Sequence, residues 1–124
     1  MADYTPKFLP GQNVTYSAGA AITGGQVVYL SAAGTCLLTA AAHANVLGVA
    51  TRDVATGERV AVSRGGVQRC VSGAAIAVGD PLKSAASGRV VPYVVGTDPV
   101  TQLIGFALTA AGAAGTSVDV QWKA

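Results

Sequence analysis

The chain has 124 residues, of which 11% are charged and 6% are aromatic, and its formal net charge is +2. This length fits one domain, and the hydrophobic fraction of 51% excludes a disordered chain, which needs low hydrophobicity and high charge. The small net charge, with no basic run, argues against a nucleic-acid-binding protein. Every apolar run is interrupted before it reaches the roughly 18 residues that a membrane-spanning helix needs.

Residues 1–13 differ from the rest of the chain and are predicted to form an extended N-terminal arm. Two prolines, Pro6 and Pro10, remove backbone donors and bias the residues before them toward extended geometry. The arm carries the large apolar side chains Tyr4, Phe8 and Leu9. These side chains need a surface to bury against, which is either their own domain or a partner. The N-terminus lacks the basic and then apolar pattern of a signal peptide, which predicts a chain that is not exported by that route.

From residue 14 onward, glycine or proline recurs every few residues, and the runs between them are rich in Val, Ile, Leu and Tyr. Short strands separated by turns are typical of an all-β sandwich or barrel. The predicted strands are 14–17, 26–31, 46–50, 59–63, 67–70, 81–83, 90–95, 103–108 and 117–123. The last strand alternates most clearly, because Val118, Val120 and Trp122 fall on one side of it.

Three segments of the chain recur in the same order. Residues 21–28 resemble 75–82, residues 46–50 resemble 103–107, and residues 57–62 resemble 115–120. The separation is 54 residues between positions 21 and 75, and 58 between positions 57 and 115. The repeat predicts an internal duplication, about 14–63 and 67–124, that folds as two similar half-barrels within one β domain spanning 14–124. Two copies suit one compact domain better than a solenoid, which needs about three or more repeats.

The sequence offers little for catalysis. His43 is the single histidine, and nothing near it in sequence supplies the partner and orienting group that a general base needs. Cys36 and Cys70 are expected to be buried, unpaired hydrophobes, and two cysteines with one histidine fall short of a structural zinc site. We therefore predict no enzyme, no cofactor and no metal site. A small hydrolase that uses His43 or Glu58 is a minor alternative.

Half of the basic residues lie within 18 positions: Arg52, Arg59, Arg64 and Arg69. They predict either a basic contact surface for an acidic partner or a solvated rim that keeps an apolar protein soluble. Nucleic-acid binding by base stacking needs aromatic residues among the basic ones, and none lies between Tyr29 and Tyr93. We therefore expect no nucleic-acid partner and no membrane partner.

Much of the chain, about residues 8–122, resembles the small capsid cement (decoration) proteins of phages. In that family a polar Pro-Gly arm leads into a Gly-x-x-Val strand. Here Pro10 and Gly11 stand in the arm, and Gly11 is followed three residues later by Val14. The matching segments are residues 8–16, 20–28, 47–50, 53–58, 60–62, 75–82, 104–107 and 118–120. Each segment is mostly glycine and aliphatic residues, and their order and spacing carry the resemblance.

The resemblance implies a virion protein made in the host cytoplasm that binds the outer surface of an icosahedral head. It would bind as homotrimers after the shell expands and would hold neighbouring major capsid subunits together, without catalysis or cofactor. The capsid-binding arm would then use Tyr4, Phe8, Leu9 and Pro10, with the four arginines as a further contact surface. The alternative is a carbohydrate- or receptor-binding β module displayed on the virion, although sugar sites usually present exposed aromatic platforms.

Overall fold

The computed structural model describes residues 13–123, and in this range the chain forms ten β-strands and two short 3₁₀ turns. The strands are β1 (Val14–Ala18), β2 (Val27–Ala32), β3 (Thr35–Leu38), β4 (Val46–Ala50), β5 (Arg59–Ser63), β6 (Val67–Val71), β7 (Pro81–Ser84), β8 (Val90–Pro92), β9 (Leu103–Ala107) and β10 (Ser117–Trp122). The 3₁₀ turns are Ala86–Gly88 and Val100–Gln102. The predicted all-β fold is confirmed. The main differences are that β3 was not predicted and that β8 ends at Pro92 rather than at residue 95; the other strand bounds agree with the predicted ones to within one residue.

The first five strands form a closed barrel in the order β1-β3-β2-β4-β5. The barrel closes because β1 pairs with β5 in antiparallel fashion and with β3 in parallel fashion. The alternating sequence of strand β5 suits one buried and one exposed side of the barrel wall, since Val60 and Val62 point inward while Arg59 is exposed. The side chains that fill the barrel are Ala18, Ile22, Val28, Cys36, Ala50, Val54, Val60 and Val62.

The last five strands form a second sheet in the order β6-β10-β9-β7-β8. Its edge strands approach each other at a single parallel bridge between Ser72 and Val90. Strand β10 alternates as predicted, with Val118, Val120 and Trp122 buried on one side. The buried residues of this sheet form a second core cluster around Leu82, Val90 and Val120.

The barrel and the second sheet match strand for strand, with β1 to β5 corresponding to β6 to β10. The bridge between Ile22 and Val54 has its counterpart between Ile76 and Ala111. The Gly25 amide donates to the Ala50 carbonyl at 2.9 Å, as the Gly79 amide donates to the Ala107 carbonyl at 2.8 Å. We call residues 14–63 the first repeat and residues 67–122 the second repeat. The internal duplication stays a prediction, which these shared contacts support.

Each repeat contains one glycine that a side chain could not replace. A Cβ atom on Gly48 would overlap the Ser63 carbonyl oxygen, and a Cβ atom on Gly105 would overlap the Gln121 carbonyl oxygen. The two glycines are equivalent, since each lies on the fourth strand of its repeat, beside the fifth strand with which it pairs. Both positions therefore require glycine for close approach of two backbones.

The two repeats share part of their core. Val27 and Val49 lie on the outside of the barrel, yet both belong to the core cluster of the second sheet. The Thr39 hydroxyl donates to the Ala85 carbonyl at 2.7 Å, and the Thr39 carbonyl accepts a hydrogen bond from the Gly88 amide at 3.0 Å. The shared core supports the prediction that residues 14–124 fold as a single domain.

Both cysteines are buried and unpaired, as expected from the sequence. Burial raises the pKa of the Cys70 thiol to about 12, and burial also raises the pKa of Cys36 above its usual value. Both thiols therefore behave as small core groups rather than as nucleophiles.

Candidate functional site

The outer side of the second sheet presents an apolar surface to solvent. Gln121 pairs with both Val67 and Phe106, and Phe106 pairs with Pro81, so these residues form one row across the strands. Val67 and Phe106 are exposed in this row, and Leu108 is exposed further along the same side of β9. Gln121 lies between Val67 and Phe106 in this row. Exposed large apolar side chains on one side of a sheet make that side a candidate for a protein contact.

A second apolar feature is the loop of residues 93–98, which follows β8. Val94 and Val95 are exposed in this loop, and Val95 is 79% exposed. Tyr93 lies at the base of the loop, where its amide donates to the Pro81 carbonyl at 2.7 Å. The loop therefore extends the apolar row of the sheet at the side of β7 and β8.

Asp98 holds this loop in one conformation. One of its carboxylate oxygens, Oδ2, accepts hydrogen bonds from Lys83 Nζ and from the Val94 amide, both at 2.8 Å. The Asp98 carbonyl accepts a hydrogen bond from the Tyr93 hydroxyl at 2.7 Å. The Lys83 hydrogen bond and then the Val94 amide hold the pKa of the Asp98 carboxyl below its usual value.

We predict that Asp98→Asn lowers the melting temperature at pH 7 by a few degrees, because it breaks the ion pair with Lys83. The carboxyl pKa is lowered in the folded state, so its stabilisation is complete above the unfolded value of about 3.9 and is lost as the pH falls through the folded value. The difference between Asp98→Asn and the native chain should therefore shrink as the pH is lowered from 7 through the folded value of the carboxyl pKa. Thermal unfolding across this pH range measures it.

The matched control is Asp119→Asn, which removes a carboxylate whose ion pair with Arg69, at 3.4 Å, is exposed. Exposed pairs contribute little to stability, so this control should melt close to the native chain at pH 7. An Asp98→Asn variant that melts at the native temperature at pH 7 would contradict the role of Asp98.

The structure places the four arginines in different surroundings. Arg52 and Arg59 are both exposed, and Arg52 Nη2 donates to the Arg59 backbone carbonyl at 2.7 Å, so the Arg52 side chain lies against the backbone of Arg59. Arg69 lies on the second sheet and pairs with Asp119. Arg64 follows β5, and its Nε is buried without a hydrogen-bond partner among the described residues. The Arg52–Arg59 pair is thus the part of the predicted basic surface that the fold brings together.

The predicted arm residues Tyr4, Phe8, Leu9 and Pro10 lie outside the described residues. The described chain begins at Asn13, whose Oδ1 accepts a hydrogen bond from the Ser63 hydroxyl at 3.2 Å. The described part of the chain therefore begins beside the end of β5.

A shallow cavity of about 200 Å³ lies between the two repeats, lined by His43, Leu103 and Trp122 among others. The His43 ring stacks on Tyr29 with 3.8 Å between ring centroids, and its Nε2 accepts a hydrogen bond from the Ala40 amide at 3.3 Å. Trp122 is only 9% exposed, so it offers no flat aromatic platform of the kind that sugar-binding sites use. The packing of His43 and Trp122 is that of structural side chains.

Two further findings concern the described part of the chain alone. Within residues 13–123, no group of three or more His, Cys, Asp or Glu side chains is placed to hold a metal ion. No helix in the same range is long and apolar enough to cross a membrane.

The comparisons with known proteins give a family and a fold. The family model described as phage cement protein matches residues 8–122. Among solved structures, the chain is similar to the N base of the head fiber protein gp8.5 of bacteriophage phi29, with a TM-score of 0.69 and 23% sequence identity. That match covers 90% of this chain and 93% of the other. A search of curated proteins found no significant match.

Proposed function

Because this chain belongs to the phage cement protein family, we propose that it decorates the outer surface of an expanded icosahedral phage head as a homotrimer. Membership of the family makes the chain a structural protein of the virion, on the exterior of the capsid, that stabilises the capsid. Its partner in this role is the major capsid protein, and the role involves no catalysis and no cofactor. The family match over residues 8–122 is the observation that carries the proposal.

The arm of residues 1–13 makes the primary contact with the capsid. Extended along the shell, it adds backbone hydrogen bonds at the edge of a capsid sheet, while Tyr4, Phe8 and Leu9 fill apolar pockets between capsid subunits. Pro10, like Pro6, restricts the backbone of the unbound arm and so lowers the entropy lost on binding.

The Arg52–Arg59 pair supplies a second contact, to acidic groups on the capsid. Its support is geometric, because the Arg52 guanidinium bonds to the Arg59 backbone carbonyl and both residues are exposed. Exposed charges of this kind chiefly raise the rate of association and fix orientation. Their contribution should therefore fall as the salt concentration rises.

A trimer presents three arms to one site on the shell. After the first arm binds, the other two bind within the same complex, which can raise the overall affinity by roughly 10²–10⁴-fold. A trimer that binds only the expanded shell stabilises that state by mass action.

The test is to add the purified chain to expanded and to unexpanded shells that lack it, and to measure bound protein by sedimentation and shell disruption by heat. We expect binding to the expanded shells alone and a higher disruption temperature for the shells that carry the protein. Equal binding to both shells would contradict the selection of the expanded state. Binding without a change in the disruption temperature would contradict the stabilising role.

A further inference from the structure

The first repeat already uses one outer surface as an interface. Val27 and Val49 lie outside the barrel but are 0% and 5% exposed, because the second repeat covers them. Thr39 is fully buried beside them through its hydrogen bonds to Ala85 and Gly88. We call Val27, Thr39 and Val49 the covered face.

The second repeat has an equivalent surface that the described residues leave partly exposed. Val27 pairs with Val49 in the first repeat as Pro81 pairs with Phe106 in the second. The Thr39 amide donates to the Val27 carbonyl as the Tyr93 amide donates to the Pro81 carbonyl. Phe106 is 43% exposed, and Pro81 and Tyr93 are partly exposed. We call Pro81, Tyr93 and Phe106 the open face.

The surface that receives the covered face also occurs twice. In the second repeat it is the turn of residues 84–88, where Ser84 is 1% exposed and donates to the Ala41 carbonyl at 2.8 Å. A Cβ atom on Gly88 would lie 2.6 Å from the Gln26 side chain, so the two repeats are in close contact there.

The equivalent turn in the first repeat is residues 30–34, and it is open. Leu30 pairs with Cys36 as Ser84 pairs with Val90, yet Leu30 is 37% exposed. Gly34 has a φ of 70°, close to the 66° of Gly88, but no described atom lies within 4 Å of where its Cβ would be. The chain thus has an unused copy of each side of its internal interface.

We propose that the open face of one copy docks on the turn of residues 30–34 of a second copy, and so repeats between chains the contact that each chain makes internally. The inference rests on the proposed trimer and names its interface. The contact is heterologous, because the two sides are different surfaces, and such contacts close into rings when the rotation allows. A ring of three chains would contain six repeats joined by one recurring contact.

The composition of the two open surfaces fits this partner. Phe106, Pro81 and Leu30 offer apolar area, and Val94 and Val95 extend the open face at its edge. Apolar and aromatic groups at the centre of a contact provide most of its affinity. Asp98 and Lys83 hold the loop of Val94 and Val95 in place before binding, which lowers the entropy lost on association.

Cross-linking of paired cysteines tests the contact. In the internal interface, Gln26 Nε2 donates to the Ser87 carbonyl at 3.1 Å, and the equivalent positions between chains are Asp80 and Ala33. We expect a chain with Ala33→Cys and Asp80→Cys to give linked species of two and three chains with a short bismaleimide. Each single variant alone should give none, and a mixture of the two single variants should give species of two chains only. Cys36 and Cys70 are buried and stay unreacted.

The experiment is run both in solution and on decorated shells, with binding to shells measured by sedimentation in the same samples. Phe106→Asp in the double-cysteine chain should abolish the cross-links, whereas Thr56→Asp, the same charge on an exposed turn, should leave them unchanged. Thermal unfolding confirms that each variant is folded, and Leu30→Asp provides an independent block of the other side of the contact.

An absence of cross-links in the double variant, in solution and on shells, would overturn the proposed interface. If such a chain still binds shells, the interface fails while the cement role stands. Cross-links in either single variant would indicate a symmetric contact and would also overturn it. Cross-links that appear only after residues 1–12 are removed would also overturn the proposed interface. They would mean that the chain's own arm covers the open face in the full-length protein.

Discussion

Removal of residues 1–12 is expected to lower the affinity of the chain for expanded shells by at least about 100-fold. Burial of one large apolar side chain contributes roughly 1.5–3 kcal/mol, and each proposed arm buries Tyr4, Phe8 and Leu9. Loss of the arms also removes the gain that comes from three contacts on one trimer. The truncation keeps Asn13, whose side chain bonds to Ser63, so the end of β5 is undisturbed. Sedimentation with shells at increasing protein concentration measures the affinity.

A point variant separates the contribution of an arm side chain to capsid affinity from the contribution of the arm's length. Phe8→Ser should weaken binding by about tenfold or more, whereas Lys7→Ala, the adjacent matched control, should change it little at moderate salt. Melting temperatures of all these chains should match that of the native chain. Truncated protein that decorates shells as tightly as the full chain would show that the arm is not the capsid contact.

Gly105→Ala is expected to destabilise the fold by about 3 kcal/mol or more, which places it among the most damaging single substitutions. The new methyl group would overlap the Gln121 carbonyl oxygen, which is backbone and cannot move without separating β9 from β10. Gly48→Ala should act similarly, because its methyl group would overlap the Ser63 carbonyl oxygen. Urea unfolding followed by circular dichroism measures the free energy of unfolding.

Gly112→Ala is the matched control, since no described atom lies within 4 Å of where its Cβ would be. It should unfold within about 0.5 kcal/mol of the native chain. A Gly105→Ala chain as stable as Gly112→Ala would mean that the β9 and β10 backbones do not approach as closely as the structure has them.

Local pattern was enough to predict most strands and the repeat. Strand β10 alternates clearly between Val118 and Trp122, and a half-buried strand needs no other signal. The order of the recurring Gly-containing turns predicted two similar units. The closure of the first repeat into a barrel could not be predicted from the sequence. It depends on the parallel pairing of β1 with β3, which is set by packing between distant segments.

Two local assignments failed for physical reasons. Strand β3, Thr35–Leu38, is four residues long and does not alternate, so its sequence gives little indication of a strand. Residues 93–95 were predicted to continue β8 because valine favours strands. In the structure they form a loop, since Asp98 bonds to Lys83 on β7 and to the Val94 amide. The Thr97 and Asp98 amides also donate to the Val94 carbonyl, and together these contacts override strand propensity.

The candidate site was only partly visible in the sequence. The arginines were grouped by their closeness in sequence, but folding brings Arg52 to Arg59 and places Arg69 on the other sheet beside Asp119. The open face was missed, because exposure of Phe106 depends on which strands the other repeat covers. The internal repeat could have indicated the open face, since Val49 and Phe106 are equivalent positions and only Val49 is buried. Capsid contact by the arm and by the arginines stays a prediction.

The measurement that tests the cement role most directly is co-sedimentation of the purified chain with expanded shells of its phage that lack it. The amount bound at saturation is expressed as copies per major capsid subunit. We expect saturation near one copy per subunit, which corresponds to a trimer at every three-fold and quasi-three-fold position. No binding to intact expanded shells would contradict the role and would direct attention to a receptor- or sugar-binding function.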